Sequence, residues 1–233
     1  MCGRYVAPDA AAVERFWHLH HQNWHETDTP LFNVAPTACV PILRRSADGS
    51  LTLDGARWGL VPAWWKKDAA PSHTFNARSE EAAQKPMWRH ALQGARCLLP
   101  ARGWYEWDAE EKVRVESGRL LKQPWFITSD DSEILAFAGL WSVLEREGGD
   151  PLLSCAILTR AAEGDIARIH NRMPVVLAPE QHADWLHPRA GPDRIDTLMH
   201  QSHTHFRARR VSPRVNNVRN NDPELLADIA ASS

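Results

Sequence analysis

ILAFAGLW, residues 134–141, and LLSCAILT, residues 152–159, are two short apolar runs, each bounded by turn residues. Each has the length of a β-strand and is too short for an amphipathic helix. Working outward, the same reading applies to Ala38–Arg44, Leu51–Trp58, Arg96–Leu99, Trp104–Trp107, Pro124–Thr128 and Met173–Leu177. Helical spacing is clearest in Ala10–His21, where Val13, Phe16, Trp17 and His20 share a face behind a capping Asp9. Pro179–His187, Asp193–His200 and Pro223–Ile229 read as further short helices. Asp108–Ser117, DAEEKVRVES, reads as an exposed hairpin or loop between two Trp-bearing strands. Many short strands with few crossover helices predict an α+β fold: a mainly antiparallel β core with peripheral helices, a single domain over residues 1–233.

The chain has 233 residues, 43% hydrophobic and 24% charged, which are globular proportions. No apolar stretch approaches the length of a membrane-spanning helix, and MCGRYVAPDA has neither the basic nor the apolar region of a secretory signal. A cytoplasmic protein with no membrane partner is the expectation. The four cysteines (Cys2, Cys39, Cys97, Cys155) lie far apart with no CxxC pair, so neither a disulfide framework nor a zinc site is expected. Two groups of histidines (His18, His20, His21, His25; His182, His187, His200, His203, His205) lack Cys partners or an HExxH arrangement. They read as surface residues, and no metal or cofactor is expected.

A net charge of −2 argues against wholly electrostatic binding of nucleic acid. Between Thr197 and Asn221, however, stand Arg207, Arg209, Arg210, Arg214 and Arg219 with no acid among them. Such a run is either a solvated face or a phosphate-binding one. Trp64 and Trp65 are adjacent; in a strand they would point to opposite faces, whereas a turn would place both on one surface. Exposed aromatics beside arginine suit the stacking of single-stranded bases.

Cys2 directly follows the initiator Met. Small second residues permit removal of that Met, leaving a thiol and a free α-amine on one residue. Their reference pKa values of roughly 8.5 and 7.7–8.0 make both partly nucleophilic near neutrality. Such a 1,2-aminothiol takes up an aldehyde as a Schiff base and then closes a thiazolidine ring; it can also serve acyl transfer. By position alone, Cys2 reads rather as a small buried residue near a chain end. Glu106 sits among Trp104, Tyr105 and Trp107, either exposed on the alternate face or buried with a raised pKa, as a general acid is made. FNARSE, residues 75–80, places Asn76 and Arg78 in a polar patch, and IHNRMPVVL, residues 169–177, puts His170 just before a strand.

In order and combination, MCGRY (1–5), NVAP (33–36), RWGLVPAWW (57–65), NARSE (76–80), GWYEW (103–107), FAGLW (137–141), LTRAA (158–162), IHNRMPVVL and VNNVRNNDPEL (215–225) closely resemble the SOS response-associated peptidase family. The resemblance spans nearly the whole chain. It implies a mainly β fold with a basic groove, and a Cys that crosslinks covalently to abasic sites in single-stranded DNA. It assigns Cys2 as nucleophile, Asn76 beside the reacting centre, Glu106 to proton transfer and crosslink reversal, and His170 to opening of the sugar ring. Arg4, Arg78, Trp64 and Trp65 follow as contacts to phosphate and base. The partner implied is single-stranded DNA containing abasic sites, bound by a monomer that is nucleoid-associated when on DNA. Removal of Met1 is expected to be the only peptidase activity, since no protease triad signature is present. Two other classes stay open: an N-terminal-nucleophile glutamine amidohydrolase, and a noncovalent reader of modified DNA.

Overall fold

The computed structural model describes residues 2–19, 24, 31–67, 69–115, 117–201 and 205–229. Its strands are β1 (Tyr5–Ala7), β2 (Leu31–Val34), β3 (Cys39–Arg45), β4 (Leu51–Trp58), β5 (Asn76–Arg78), β6 (Arg96–Ala101), β7 (Gly103–Arg114), β8 (Leu120–Thr128), β9 (Leu135–Leu144), β10 (Leu152–Ala161), β11 (Arg172–Pro174), β12 (Val176–Leu177) and β13 (Arg207–Arg210). The helices are α1 (Ala10–Trp17), α2 (Ser79–Ala82), α3 (Pro86–Gly94), α4 (Ile166–Ile169), α5 (His182–Leu186) and α6 (Pro192–His200). No helix among the described residues is long and apolar enough to cross a membrane.

The two runs at 134–141 and 152–159 become the paired strands β9 and β10, in register from Leu144↔Leu152 to Gly139↔Ile157. From there the ladder passes β9–β6, β6–β3 and β3–β4, and returns through a parallel pairing of β4 with β10. The five strands therefore close into a small barrel, which removes their free edges. A second, open sheet runs β13–β8–β7–β1–β2. The pairing is mainly antiparallel, the exceptions among the described strands being β10 with β4 and β10 with β5.

Period-two alternation sorts the barrel side chains into two cores. Ile42, Trp58, Cys97, Leu99, Phe137, Cys155 and Ile157 pack with Tyr5 and Trp104 of the second sheet. Their neighbours Leu43, Leu98, Ala138, Ala156 and Leu158 face the other way, under Val13 of α1, Trp88 of α3, Trp185 of α5 and Leu198 of α6. The far face of the second sheet carries Val6, Tyr105 and Phe126 beneath Val215 and Leu225 of the C-terminal segment.

Several boundaries differ from the sequence expectation, each for a local reason. The first helix ends at Trp17, because His18 adopts the left-handed conformation at φ 52°; residues 20 and 21 lie outside the described set. Pro179–His187 begins as a 3₁₀ turn over Pro179–Gln181 before α5, and Pro223–Leu226 is also a 3₁₀ turn. Met173–Leu177 is cut at Val175, since β11 pairs with β10 and β12 with β9. The polar stretch after Trp107 is indeed a hairpin, with β7 continuing through Arg114. A register shift between Trp107 and Lys112 interrupts it, where Asp108 Oδ1 accepts from the N–H groups of Glu110 and Glu111. Helix α3 was not anticipated, although Pro86 at its start and Trp88, Ala91 and Leu92 at helical spacing announce it.

Gly103 opens β7 at φ +154°, and a Cβ there would stand 2.3 Å from the Ile127 carbonyl oxygen and 2.5 Å from the Phe126 ring. Backbone strain and overpacking act together at this position. Gly103→Ala should therefore cost about 2–4 kcal/mol, read as a lower denaturant midpoint at unchanged slope. A midpoint equal to wild type would show that β7 can shift away from β8 at no cost.

Candidate active site

Alternation along β7 turns Trp104 toward the barrel core and Tyr105 toward the opposite face, so Glu106 returns to the side of Trp104. The register Tyr5↔Trp104, with Tyr105 N–H donating to the Arg4 carbonyl at 2.9 Å, carries Glu106 alongside the residues that precede Tyr5. Cys2 is among those residues and has no exposed surface. Asn76 opens β5, which is held on β10 by the pairing Ile157↔Asn76, and its Nδ2 donates to the Cys2 carbonyl at 2.6 Å. His170 follows α4 in extended conformation, with Nδ1 3.8 Å from Glu106 Oε1. Four segments distant in sequence thus bring Cys2, Asn76, Glu106 and His170 together.

Burial decides the protonation states. Glu106 is 2% exposed. Desolvation pushes its carboxyl up to about 7. His170 is lowered, first by burial and then by nearby positive charge. One carboxyl moves up and its imidazole neighbour moves down, so the 3.8 Å contact is not held as a pair of full opposite charges near pH 7. His170 Nδ1 lies 3.0 Å from the Arg172 N–H and 3.1 Å from the Arg172 carbonyl, so the ring has a backbone partner whether or not that nitrogen carries a proton. The Cys2 thiol is raised well above its ordinary value, by burial first and by Glu106 second, and stays protonated at neutrality. The arrangement can donate a proton near pH 7, accept one back, and hold a sulfur in its thiol form.

The remaining sequence candidates divide. Arg78 is exposed at the end of β5, 3.4 Å from Glu81. A turn sets Trp64 and Trp65 on one surface, with rings 5.9 Å apart and Trp64 49% exposed. Beside Trp64 runs a groove of about 550 Å³, lined also by Leu60, Met87, His90 and Trp141. Neither Cys2 nor Glu106 lines it. Arg4 is half-buried and bonded into the fold: Nη1 donates to Asn33 Oδ1 at 2.8 Å and to the Val215 carbonyl at 2.7 Å. The arginine run is largely matched by acids from outside it, namely Arg207 by Asp130, Arg210 by Glu111, and Arg214 by Asp222 and Glu224. Arg209 donates to the Leu226 carbonyl and lies over Phe126.

His182 is a correction. Expected at the surface, it is buried, with Nδ1 accepting from Trp17 Nε1 at 3.2 Å and Nε2 3.2 Å from the Leu177 carbonyl. His18, His187, His200 and His205 are exposed, and His20, His21, His25 and His203 lie outside the described residues. Sequence reasoning also missed Asn33, whose Nδ2 donates to the carbonyls of Val215, Asn217 and Asn220. It ties the 215–220 segment to β2, and its place in the NVAP stretch was the available signal.

Residues 1–218 match the family described as SOS response associated peptidase (SRAP). The abasic site processing protein YoqW of Bacillus subtilis is 36% identical over 235 residues, covering 97% of this chain and 99% of that one. The abasic site processing protein YedK of Escherichia coli is 32% identical over 201 residues, covering 85% and 84%. Among solved structures, a protein from Bacteroides thetaiotaomicron superposes with TM-score 0.82 at 21% identity, covering 99% of this chain and all of that one. A phage-related protein from Bordetella bronchiseptica does so with TM-score 0.67 at 30% identity, covering 90% and 94%.

The Glu106 carboxyl titrates about 7 in the folded chain against an ordinary 4.5. Its contribution to stability is therefore present below pH 4.5 and is lost as pH rises through 7. Relative to Glu106→Gln, wild type should lose on the order of 2 kcal/mol between pH 5 and pH 8. Denaturant titrations of both proteins at the two pH values measure this. A difference that does not change with pH would mean that Glu106 ionises normally in the fold.

Proposed function

Because the chain belongs to the SOS response associated peptidase family, we propose that it recognises abasic sites in single-stranded DNA and captures them covalently through Cys2. Removal of Met1, as self-processing, precedes capture and frees the Cys2 α-amine. The observation that carries this reading is the meeting of a buried cysteine with a carboxyl titrating about 7 and a neutral imidazole.

An abasic deoxyribose is mostly a closed hemiacetal, and His170 assists opening of its ring oxygen. The Cys2 amine then adds to the aldehyde carbon, giving a carbinolamine. Glu106, partly protonated near neutrality, donates the proton with which the hydroxyl leaves as water, and a protonated imine remains beside the Glu106 carboxylate. The thiol sulfur adds to the imine carbon, the C=N electron pair passes to the nitrogen, and the thiol proton returns to the Glu106 carboxylate. One water is lost overall and a thiazolidine is formed. The raised thiol pKa supports this order, since the amine is the competent nucleophile until the imine exists. Asn76 holds the Cys2 carbonyl and so aims the residue from behind. Arg78 and the Trp64–Trp65 pair are the exposed groups suited to phosphate and stacked base. The lesion is shielded while the link stands, as part of the response to DNA damage.

Intact-mass measurement on Met1-free protein mixed with an abasic single strand should show one adduct at the summed mass less one water. Cys2→Ala and an N-terminal extension should both abolish it, and Cys2→Ser should leave only an imine trapped by a reductant. Glu106→Gln should slow formation by about 10²-fold and remove a rate decline above pH 7. Full binding and protection of abasic strands by Cys2→Ala would replace capture with noncovalent reading.

A further inference from the structure

We propose that Glu80 and Arg172 form the positioning device that holds His170 in place relative to Cys2 and Asn76. The role assigned to His170 rests on the function proposed above; the geometry of the device does not.

β10 lies between β5 and β11 at Thr159, whose partners are Arg78 on one side and Pro174 on the other. Asn76, which grips Cys2, belongs to the β5 side, and His170 belongs to the segment leading into β11. The two halves of the site are thus carried on opposite edges of one strand. The Glu80–Arg172 pair bridges them. Arg172 Nη1 donates to Glu80 Oε1 at 2.6 Å and Nη2 to Oε2 at 2.9 Å, a bidentate fork. Nη2 also donates to the Thr159 carbonyl at 2.6 Å, while Thr159 Oγ1 reaches the Ala77 carbonyl at 3.4 Å. The bridge is fastened to the strand that it crosses. At its other end, the Arg172 N–H and carbonyl stand 3.0 and 3.1 Å from His170 Nδ1. Fixing the Arg172 guanidinium fixes the peptide that orients the imidazole.

The strength of the fork is visible in Glu80, held down to about 2 chiefly by the Arg172 hydrogen bonds. Yet Glu80 is 44% exposed and Arg172 13%. With one partner open to solvent, the pair contributes on the order of 1 kcal/mol to folding. Its removal should leave the fold standing and disturb the spacing. A displacement of around an ångström at a reacting group costs far more in rate than such a pair contributes to stability.

The test uses full-length wild type, Glu80→Ala and Glu80→Gln. In DNA-free protein, the His170 ring resonances and titration midpoint should move in Glu80→Ala and return part of the way in Glu80→Gln, which keeps one of the two hydrogen bonds. Adduct formation on an abasic strand should slow roughly 10- to 100-fold in Glu80→Ala, with partial recovery in Glu80→Gln. Affinity for an undamaged strand should change less than the rate. Unmoved His170 resonances would overturn the proposal. So would a rate that falls only in step with affinity for undamaged DNA, which would make Arg172 a phosphate contact. If wild type forms no adduct at all, the functional reading fails, and the His170 resonances alone decide the positioning role.

Discussion

A β-strand has two hydrogen-bonding edges, and β10 uses each of them twice. On one edge it pairs with β9 and then β11; on the other with β4 and then β5. The first half of the strand closes the barrel. The second half, beyond the point where β9 and β4 leave it, carries the segments bearing Asn76 and leading from His170. Closure of the barrel and assembly of the site are therefore one constraint. A ten-residue strand, buried along most of its length, is what permits this double use. Gly139 marks how tightly the ring is drawn, since a Cβ there would meet Leu99 Cδ1 at 2.2 Å and Cys97 Sγ at 2.9 Å.

The chemistry of the site follows from desolvation more than from charge pairing. Glu106 and His170 stand close enough for an ion pair, yet burial moves the carboxyl up and the imidazole down. In a solvated pair the carboxyl would be ionised throughout the neutral range, and the imidazole alone would titrate near pH 7. Trp104, fully buried on the same face of β7 as Glu106, is part of that environment. Elsewhere the molecule does the opposite: its arginine run is drawn into exposed pairs with Asp130, Glu111, Asp222 and Glu224, where each contact adds little.

Much of the fold was legible because barrel strands declare themselves locally. Leu51–Trp58 was read to its true ends, and β3, β6, β9 and β10 to within a few residues. The short strands β1, β2 and β5 were not, since three or four residues carry no period and gain their conformation only from the partners they meet. The burial of Glu106 was readable as one of two alternatives, because a single acid between aromatics must be solvated or desolvated. The family resemblance named Cys2, Asn76, Glu106 and His170, but not why they meet. The bond from Asn76 to the Cys2 carbonyl and the pair of Glu80 with Arg172 span 74 and 92 residues. Nothing local encodes contacts of that range. His182 misled for the same reason, since its burial depends on Trp17 across the fold.

The complete enclosure of Cys2 bears on selectivity in a crowded cell. A free aminothiol condenses with any aldehyde that collides with it, and small diffusible carbonyls far outnumber DNA lesions. A Cys2 shut away from bulk solvent meets a freely diffusing aldehyde far less often than a solvated one would. For a protein that acts through Cys2 in this way, a captured aldehyde would occupy the residue until the link is reversed, so discrimination has to come before the bond forms. Enclosure would then act as a kinetic filter that keeps the residue open for the damage it matches.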